Sequence, residues 1–194
     1  MTIKNTNLIN LNGLDNLLAA GNSPYFNGDF TLENNHSLLS LQGLNKLEYT
    51  KTFRIRNNDA LVNLEGLENY RWASQGAFVV IECDNLLSLN GLEKLEFIGS
   101  DLITYENPLL NSISSLSNLN EIAHSISIFN NYSLSTLNGL EALYRVRYIT
   151  ISGNSVMDDF CALKPILLID DYEYFNAEYN LTNPTVGEII EDCE

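Results

Sequence analysis

An asparagine that returns at nearly constant intervals constrains this chain more than its composition does. Asn35, Asn58, Asn107, Asn131 and Asn154 form a column in which Cys83 takes the third place, and consecutive members are separated by 23, 25, 24, 24 and 23 residues. A second column, Gly43, Gly66, Gly91, Ser115, Gly139 and Ala162, keeps the same five steps. Two columns with one shared period are the mark of a stacked repeat, which neither amphipathic helices nor a doubly wound sheet would produce.

The segment Leu-x-x-Leu-x-Gly-Leu-x-x-Leu recurs six times in recognisable form. Its fullest copy carries Ile126, Ile128, Asn131, Leu134, Leu137, Gly139, Leu140, Leu143 and Val146. Each unit reads as a short strand, a turn at Asn and two further apolar ridges separated by Gly. One unit has nothing to pack on, so stacking must bury Leu above Leu, at roughly 1.5–3 kcal/mol per buried side chain. The Asn column is structural, because a buried amide can bond backbone groups that the bend leaves unpaired. Gly permits a left-handed or tight corner, so the corners at Ser115 and Ala162 are expected to differ. Gly13 precedes Gly43 by 30 residues, and the surplus lies in a loop from about Leu18 to Asp29 containing the turn formers Gly21, Asn22, Pro24, Asn27 and Gly28.

These signs predict a mainly β fold: a parallel β-solenoid of about six to seven coils in a single domain spanning 1–194. Residues 1–30 form an N-terminal coil with an inserted loop, 31–157 the regular repeats and 158–194 a C-terminal cap. Strands are predicted to begin near Phe30, Phe53, Phe78, Leu102, Ile126 and Ile149, placing Leu32, Ile55, Val80, Thr104, Ile128 and Ile151 inside. Buried Thr104 then needs a hydrogen-bond partner.

Apolar residues make up 45% of the chain, ample for a continuous core, and the formal net charge of −15 repels phosphate backbones and anionic headgroups. Nucleic acid is therefore excluded as a natural ligand. From Asp158 onward ten acids face one base, Lys164, which reads as a solvated cap. No apolar run approaches the roughly 18–20 residues of a membrane span, and Met1 to Asn5 show no signal-peptide pattern, so the chain reads as soluble.

Motifs for catalysis are missing from the sequence. His36 and His124 lie in turns without a nearby Cys or His, and there is no Gly-x-Ser-x-Gly elbow, P-loop or Gly-x-Gly-x-x-Gly. The pairs Asp158-Asp159 and Asp170-Asp171 lack a calcium-loop pattern and read as surface charge. No enzyme activity, metal or cofactor is expected. Three glycosylation patterns begin at Asn35, Asn131 and Asn180; the first two coincide with ladder residues and read as coincidence.

The run Leu86-Leu87-Ser88-Leu89-Asn90-Gly91-Leu92-Glu93-Lys94-Leu95-Glu96-Phe97-Ile98-Gly99 resembles bacterial surface leucine-rich repeats of the Bacteroidetes type, related to receptor L domains. The resemblance covers about Leu8 to the end. Asp159-Phe160-Cys161-Ala162-Leu163-Lys164-Pro165, with Asn183-Pro184-Thr185 and Cys193, resembles the terminal cap of those proteins. It implies a right-handed, three-sided solenoid with few helices, export to the cell surface or medium, and no enzymatic activity. A terminal coil needs a lid, so Cys161 and Cys193 are expected to form a disulfide, with Cys83 free and buried; three reduced thiols are the alternative. Thr185-Val186-Gly187-Glu188 reads as a capping box opening a short helix through about Asp192.

The residues flanking each inward strand position point outward. They form two columns: Thr31, Arg54, Val79, Ile103, Ser127, Thr150, and Glu33, Arg56, Ile81, Tyr105, Phe129, Ser152. The central coils place Val79, Ile81, Ile103, Tyr105 and Phe129 side by side, bordered by Arg54, Arg56 and, close in sequence, Lys51. Aromatic residues and Arg concentrate binding energy at interfaces, so Arg54, Arg56, Val79, Ile81, Ile103, Tyr105, Ser127 and Phe129 are the candidate contact set for a protein, or less readily a glycan. In the alternative reading, a spacer that contacts only its own copies, the same face is a homodimer seam. Good strand formers, or coverage by the 18–29 insertion, would also account for the pattern.

Overall fold

The structure, a computed structural model, describes residues 1–23, 26–169 and 171–193; Pro24, Tyr25, Asp170 and Glu194 stand outside that description, as do the side chains of 21–27. Because the repeat returns each strand to the same face, eight strands pair in one parallel sheet. In order these are Thr2–Lys4, Phe30–Glu33, Phe53–Arg56, Phe78–Ile81, Asp101–Tyr105, Ser125–Phe129, Tyr148–Ser152 and Tyr174–Glu178. Four shorter strands, Tyr49–Thr50, Trp72–Ala73, Phe97–Ile98 and Glu121–Ile122, form a second parallel sheet on another side. The chain is thus a parallel β-solenoid whose six regular turns gain one strand at each end. Both end strands, Thr2–Lys4 and Tyr174–Glu178, lie outside the expected set. Three of the six expected strands also start one residue early, at Asp101, Ser125 and Tyr148.

Inward side chains fill the space between the sheets. Leu32, Ile55, Val80, Ile128 and Ile151 are fully buried, and Thr104 accepts a hydrogen bond from Asn131 Nδ2 at 3.2 Å. At the strand starts Phe30, Phe53 and Phe78 stack in sequence with centroids 5.1 and 5.6 Å apart, and buried Tyr70 packs edge-on against Phe53. The Tyr70 hydroxyl meets Thr50 Oγ1 at 2.7 Å, which satisfies both groups in the core.

The Asn column is a ladder with a fixed direction, broken at one rung, where Cys83 offers no side-chain amide. Elsewhere the backbone N–H donates to the side-chain Oδ1 of the next coil: Asn35 to Asn58, Cys83 to Asn107, Asn107 to Asn131, and Asn131 to Asn154. Each amide Nδ2 reaches back to a strand carbonyl of the preceding coil, as Asn107 does to Val80 and Asn154 to Ile128. Asn180 extends the ladder, since its Oδ1 accepts from Asn154 N at 3.0 Å and its Nδ2 donates to the Ile151 carbonyl. Thr6 closes the other end through its hydroxyl and N–H to Asn35 Oδ1. The residue before each ladder position adopts a left-handed backbone, with φ of 52 to 57° at Asn5, Asn34, Asn57, Glu82, Glu106, Asn130 and Tyr179. Asn predominates there because it tolerates that conformation better than other non-glycine residues.

At the next corner, Gly13, Gly43, Gly66, Gly91 and Gly139 have φ between 105 and 116°. A Cβ on Gly91 would lie 2.2 Å from the Leu64 carbonyl oxygen, so the coils approach too closely there for any side chain. Where the column departs from Gly, the corner is rebuilt as short 3-10 helices, Ser114–Leu116 and Cys161–Leu163. Each corner glycine N–H donates to a side chain two residues on: Asp15, Asn45, Glu68, Glu93 or Glu141. Part of the acidic surplus therefore serves the corners.

The C-terminal end is closed by two helices, α1 (Lys164–Ile169) and α2 (Val186–Asp192). Thr185 and Glu188 form the capping box at the start of α2, and Ile189 is buried on the last coil. Cys161 and Cys193 are joined by a disulfide with Cα atoms 5.3 Å apart, while Cys83 is free and buried. Lys164 Nζ adds a hydrogen bond to the Cys193 carbonyl. Helix α1 has no counterpart in the sequence reading. Among the described residues no helix is long and apolar enough to cross a membrane.

Candidate functional site

Parallel pairing without register shift brings the candidate residues into two straight rows on the outer side of the main sheet. Arg54, Val79, Ile103 and Ser127 are consecutive partners in one, and Arg56, Ile81, Tyr105 and Phe129 in the other. Thr31 and Thr150 extend the first row, Glu33 and Ser152 the second.

The structure corrects one member. Val79 was expected to be an exposed contact, yet it is only 3% exposed while standing outside the apolar core cluster. Its strand neighbours Arg54 and Ile103 flank it, so the outer face packs upon itself. Ile81, Ile103, Tyr105, Ser127 and Phe129 are half-buried for the same reason, whereas Arg54 and Arg56 are exposed. Arg56 Nε pairs with Glu82 at 3.1 Å; Arg54 has no carboxylate in ion-pair range among the described residues. Hydrogen bonding with Glu106 raises the Tyr105 phenol above its ordinary pKa, so the ring stays neutral. The face is an apolar and aromatic strip with a free guanidinium at one edge. Whether the 18–29 insertion covers it turns on side chains outside the described residues.

A second apolar stripe escaped the sequence reading. Ile9, Leu39, Val62 and Leu87 are 59, 57, 40 and 42% exposed, and backbone bonds from Leu39 to Ile9 and from Leu87 to Val62 link neighbouring coils along it. The signal was available in the position four residues after each of Asn35, Asn58 and Cys83.

Polar clusters elsewhere are braces between coils. His36 Nδ1 meets Asp59 and His124 Nδ1 meets Asp101, each at 2.7 Å. Ser125 Oγ donates to the same Asp101 oxygen, so serine and histidine both hang from the carboxylate and the serine is not paired with the ring nitrogen as a nucleophile. Asp159 accepts from Cys161 N and from Thr136 Oγ1, which makes it a corner residue. Among the described residues no group of three or more His, Cys, Asp or Glu is placed to hold a metal ion. All three glycosylation asparagines, Asn180 included, are ladder members. Comparison with protein-family models, with curated proteins and with solved structures returns no match.

Proposed function

We propose that this chain is a non-catalytic binding module of a secreted or cell-surface protein, a leucine-rich-repeat solenoid related to receptor L domains, which presents the outer face of its main sheet to a protein partner. The observation that carries this reading is the row Ile81, Tyr105, Phe129 beside Ile103 in strict register, a partly exposed apolar strip that stands outside the core cluster. Aromatic and Arg side chains on such a strip suit the centre of an interface, with Arg54 free to meet an acidic group. The disulfide supports an oxidising compartment.

The test is the double variant Tyr105→Ser/Phe129→Ser, screened beside the parent chain on a protein array and by sedimentation. Loss of a heterologous interaction with thermal stability nearly unchanged supports the module. Loss of a parent-chain dimer instead supports the spacer reading. Binding and oligomeric state identical to the parent would remove this face from the function.

A further inference from the structure

The second sheet carries a feature independent of the main face. Tyr49, Trp72 and Phe97 are direct partners on adjacent parallel strands, so three aromatic side chains form one outward column. The residues that follow them, Thr50, Ala73 and Ile98, are buried in the core, which fixes the aromatics on the outside, and all three remain partly exposed. On one side of the column run Glu48, Arg71, Glu96 and Asn120. Arg71 Nη1 bonds Glu96 Oε1 at 2.7 Å, and its guanidinium sits 5.6 Å from the centre of the Trp72 ring, bracing the indole. On the other side, Ser74 and Gly99 follow Trp72 and Phe97 by two residues, bond through their backbone N–H to Thr50 and Ala73, and are too short to rise over those two rings, while the same position beside Tyr49 holds the exposed Lys51.

We propose that Tyr49, Trp72 and Phe97 form a stacking platform for a neutral glycan chain. Adjacent strands lie about 4.8 Å apart, comparable to the length that one pyranose unit adds to an extended chain, so successive rings meet successive sugars. The apolar C–H faces of a sugar stack on aromatic rings, while its hydroxyls bond to the donors and acceptors of Arg71, Glu96, Glu48 and Asn120. Glu48, Lys51, Arg71 and Glu96, together with Glu121, the register partner of Phe97, and the Arg145 that pairs with it, cancel to no net charge at this site, although the whole chain carries −15. The local balance selects against charge, and the overall field repels sulfated or uronic acid polymers.

Trp72 is the only tryptophan in the sequence, so intrinsic fluorescence reads this site directly. The intact chain is titrated with cellohexaose, xylohexaose, mannohexaose and chitohexaose, with heparin as the charged arm. The expected result is a saturable emission change with at least one neutral chain, unaltered in about 0.5 M NaCl. Tyr49→Leu or Phe97→Leu, which keep an apolar side chain but no ring, weaken it by about tenfold, the order expected for one lost stacking ring. Tyr105→Ser/Phe129→Ser keeps the response, which separates this site from the main face. No saturable change with any of the four neutral chains, a response to heparin alone that salt abolishes, or unaltered binding by both Leu variants overturns the proposal.

Discussion

The backbone N–H of Cys83 donates to Asn107 Oδ1 at 3.1 Å, but the one thiol hydrogen goes to the Ile81 carbonyl of its own coil, at 3.5 Å, while the sulfur faces the backbone N–H of Asn58 in the preceding coil. Asn107 makes the equivalent local bond to Tyr105 and a second one to Val80 in the preceding coil. A thiol has one hydrogen and cannot do both. Cys83→Asn, in a site whose neighbours already hold asparagine, should therefore stabilise by about 1 kcal/mol, raising Tm by about 2–4 °C in a domain of this size. A lower Tm by calorimetry would show that the coil spacing at Cys83 has closed around sulfur.

Asn131 sits where the ladder is most densely bonded. Its Oδ1 accepts from Asn107 N and Nδ2, and its Nδ2 faces Thr104 and the Phe129 carbonyl. Asn131→Ala leaves several buried groups unpaired and should cost about 3 kcal/mol or more, whereas Asn111→Ala, at an exposed position, should stay within about 0.5 kcal/mol. Chemical denaturation of the two variants checks the contrast. The same burial predicts that Asn131 stays unglycosylated when the chain passes through a eukaryotic secretory route, which mass spectrometry would read.

The repeat was legible because its columns are physical: Leu above Leu, amide above amide, glycine where a Cβ would strike the next coil. The ends were not, because a terminal coil has a neighbour on one side only and relaxes the pattern. Thr6 replaces the amide, and Asn180 follows Asn154 by 26 residues with Ala177 at the inward strand position. The burial of Val79 was hidden for a different reason, since it depends on which side chains lie beside it across the sheet. Tyr49, Trp72 and Phe97 repeat at 23 and 25 residues, the ladder's own steps, but their column lies outside the strand that the Asn marks.

The thiols should separate cleanly. Burial pushes the Cys83 thiol up to about 12, so it carries almost no thiolate near neutrality and should resist alkylation in the folded chain. Denaturation without reductant should expose one reactive thiol, and reduction three. The disulfide closes a separation of 32 residues, so reducing it should destabilise by roughly 3–4 kcal/mol and loosen α2 first. Three reactive thiols before reduction would contradict the pairing.

Acid should weaken one edge of the solenoid. Burial is the largest single influence on Asp101 and acts to raise its carboxyl, but hydrogen bonds with Ser100, Ser125 and His124 together outweigh it and hold the group below the ordinary value. Glu173 is lowered by the Tyr148 phenol and then by Arg147. Groups whose folded pKa is depressed stabilise above their unfolded value and lose that contribution as pH falls through the folded one. The window therefore begins near about pH 4 and extends downward. Asp101→Asn/Glu173→Gln should be less stable than the parent at neutral pH, with a shallower loss below about pH 4. Urea midpoints measured across that range that fall in parallel for both chains would exclude these two groups.

Gly91 and Ser115 occupy the same column and should respond to alanine in opposite directions. Gly91 has φ of 113°, and its added Cβ would stand 2.2 Å from the Leu64 carbonyl oxygen and 2.5 Å from its carbon. Both the backbone conformation and the space oppose a side chain, so Gly91→Ala should destabilise by about 3 kcal/mol or more. At Ser115 the corner has already become a 3-10 helix that accepts a Cβ, and the buried Ser115 hydroxyl has no hydrogen-bond partner among the described residues. Ser115→Ala removes that unpaired group and should be neutral or stabilise by up to about 1 kcal/mol. Thermal melts of the two single variants decide it. A destabilised Ser115→Ala would mean that the hydroxyl is satisfied in solution, and a tolerated Gly91→Ala that the corner can adopt the helical geometry of its neighbour.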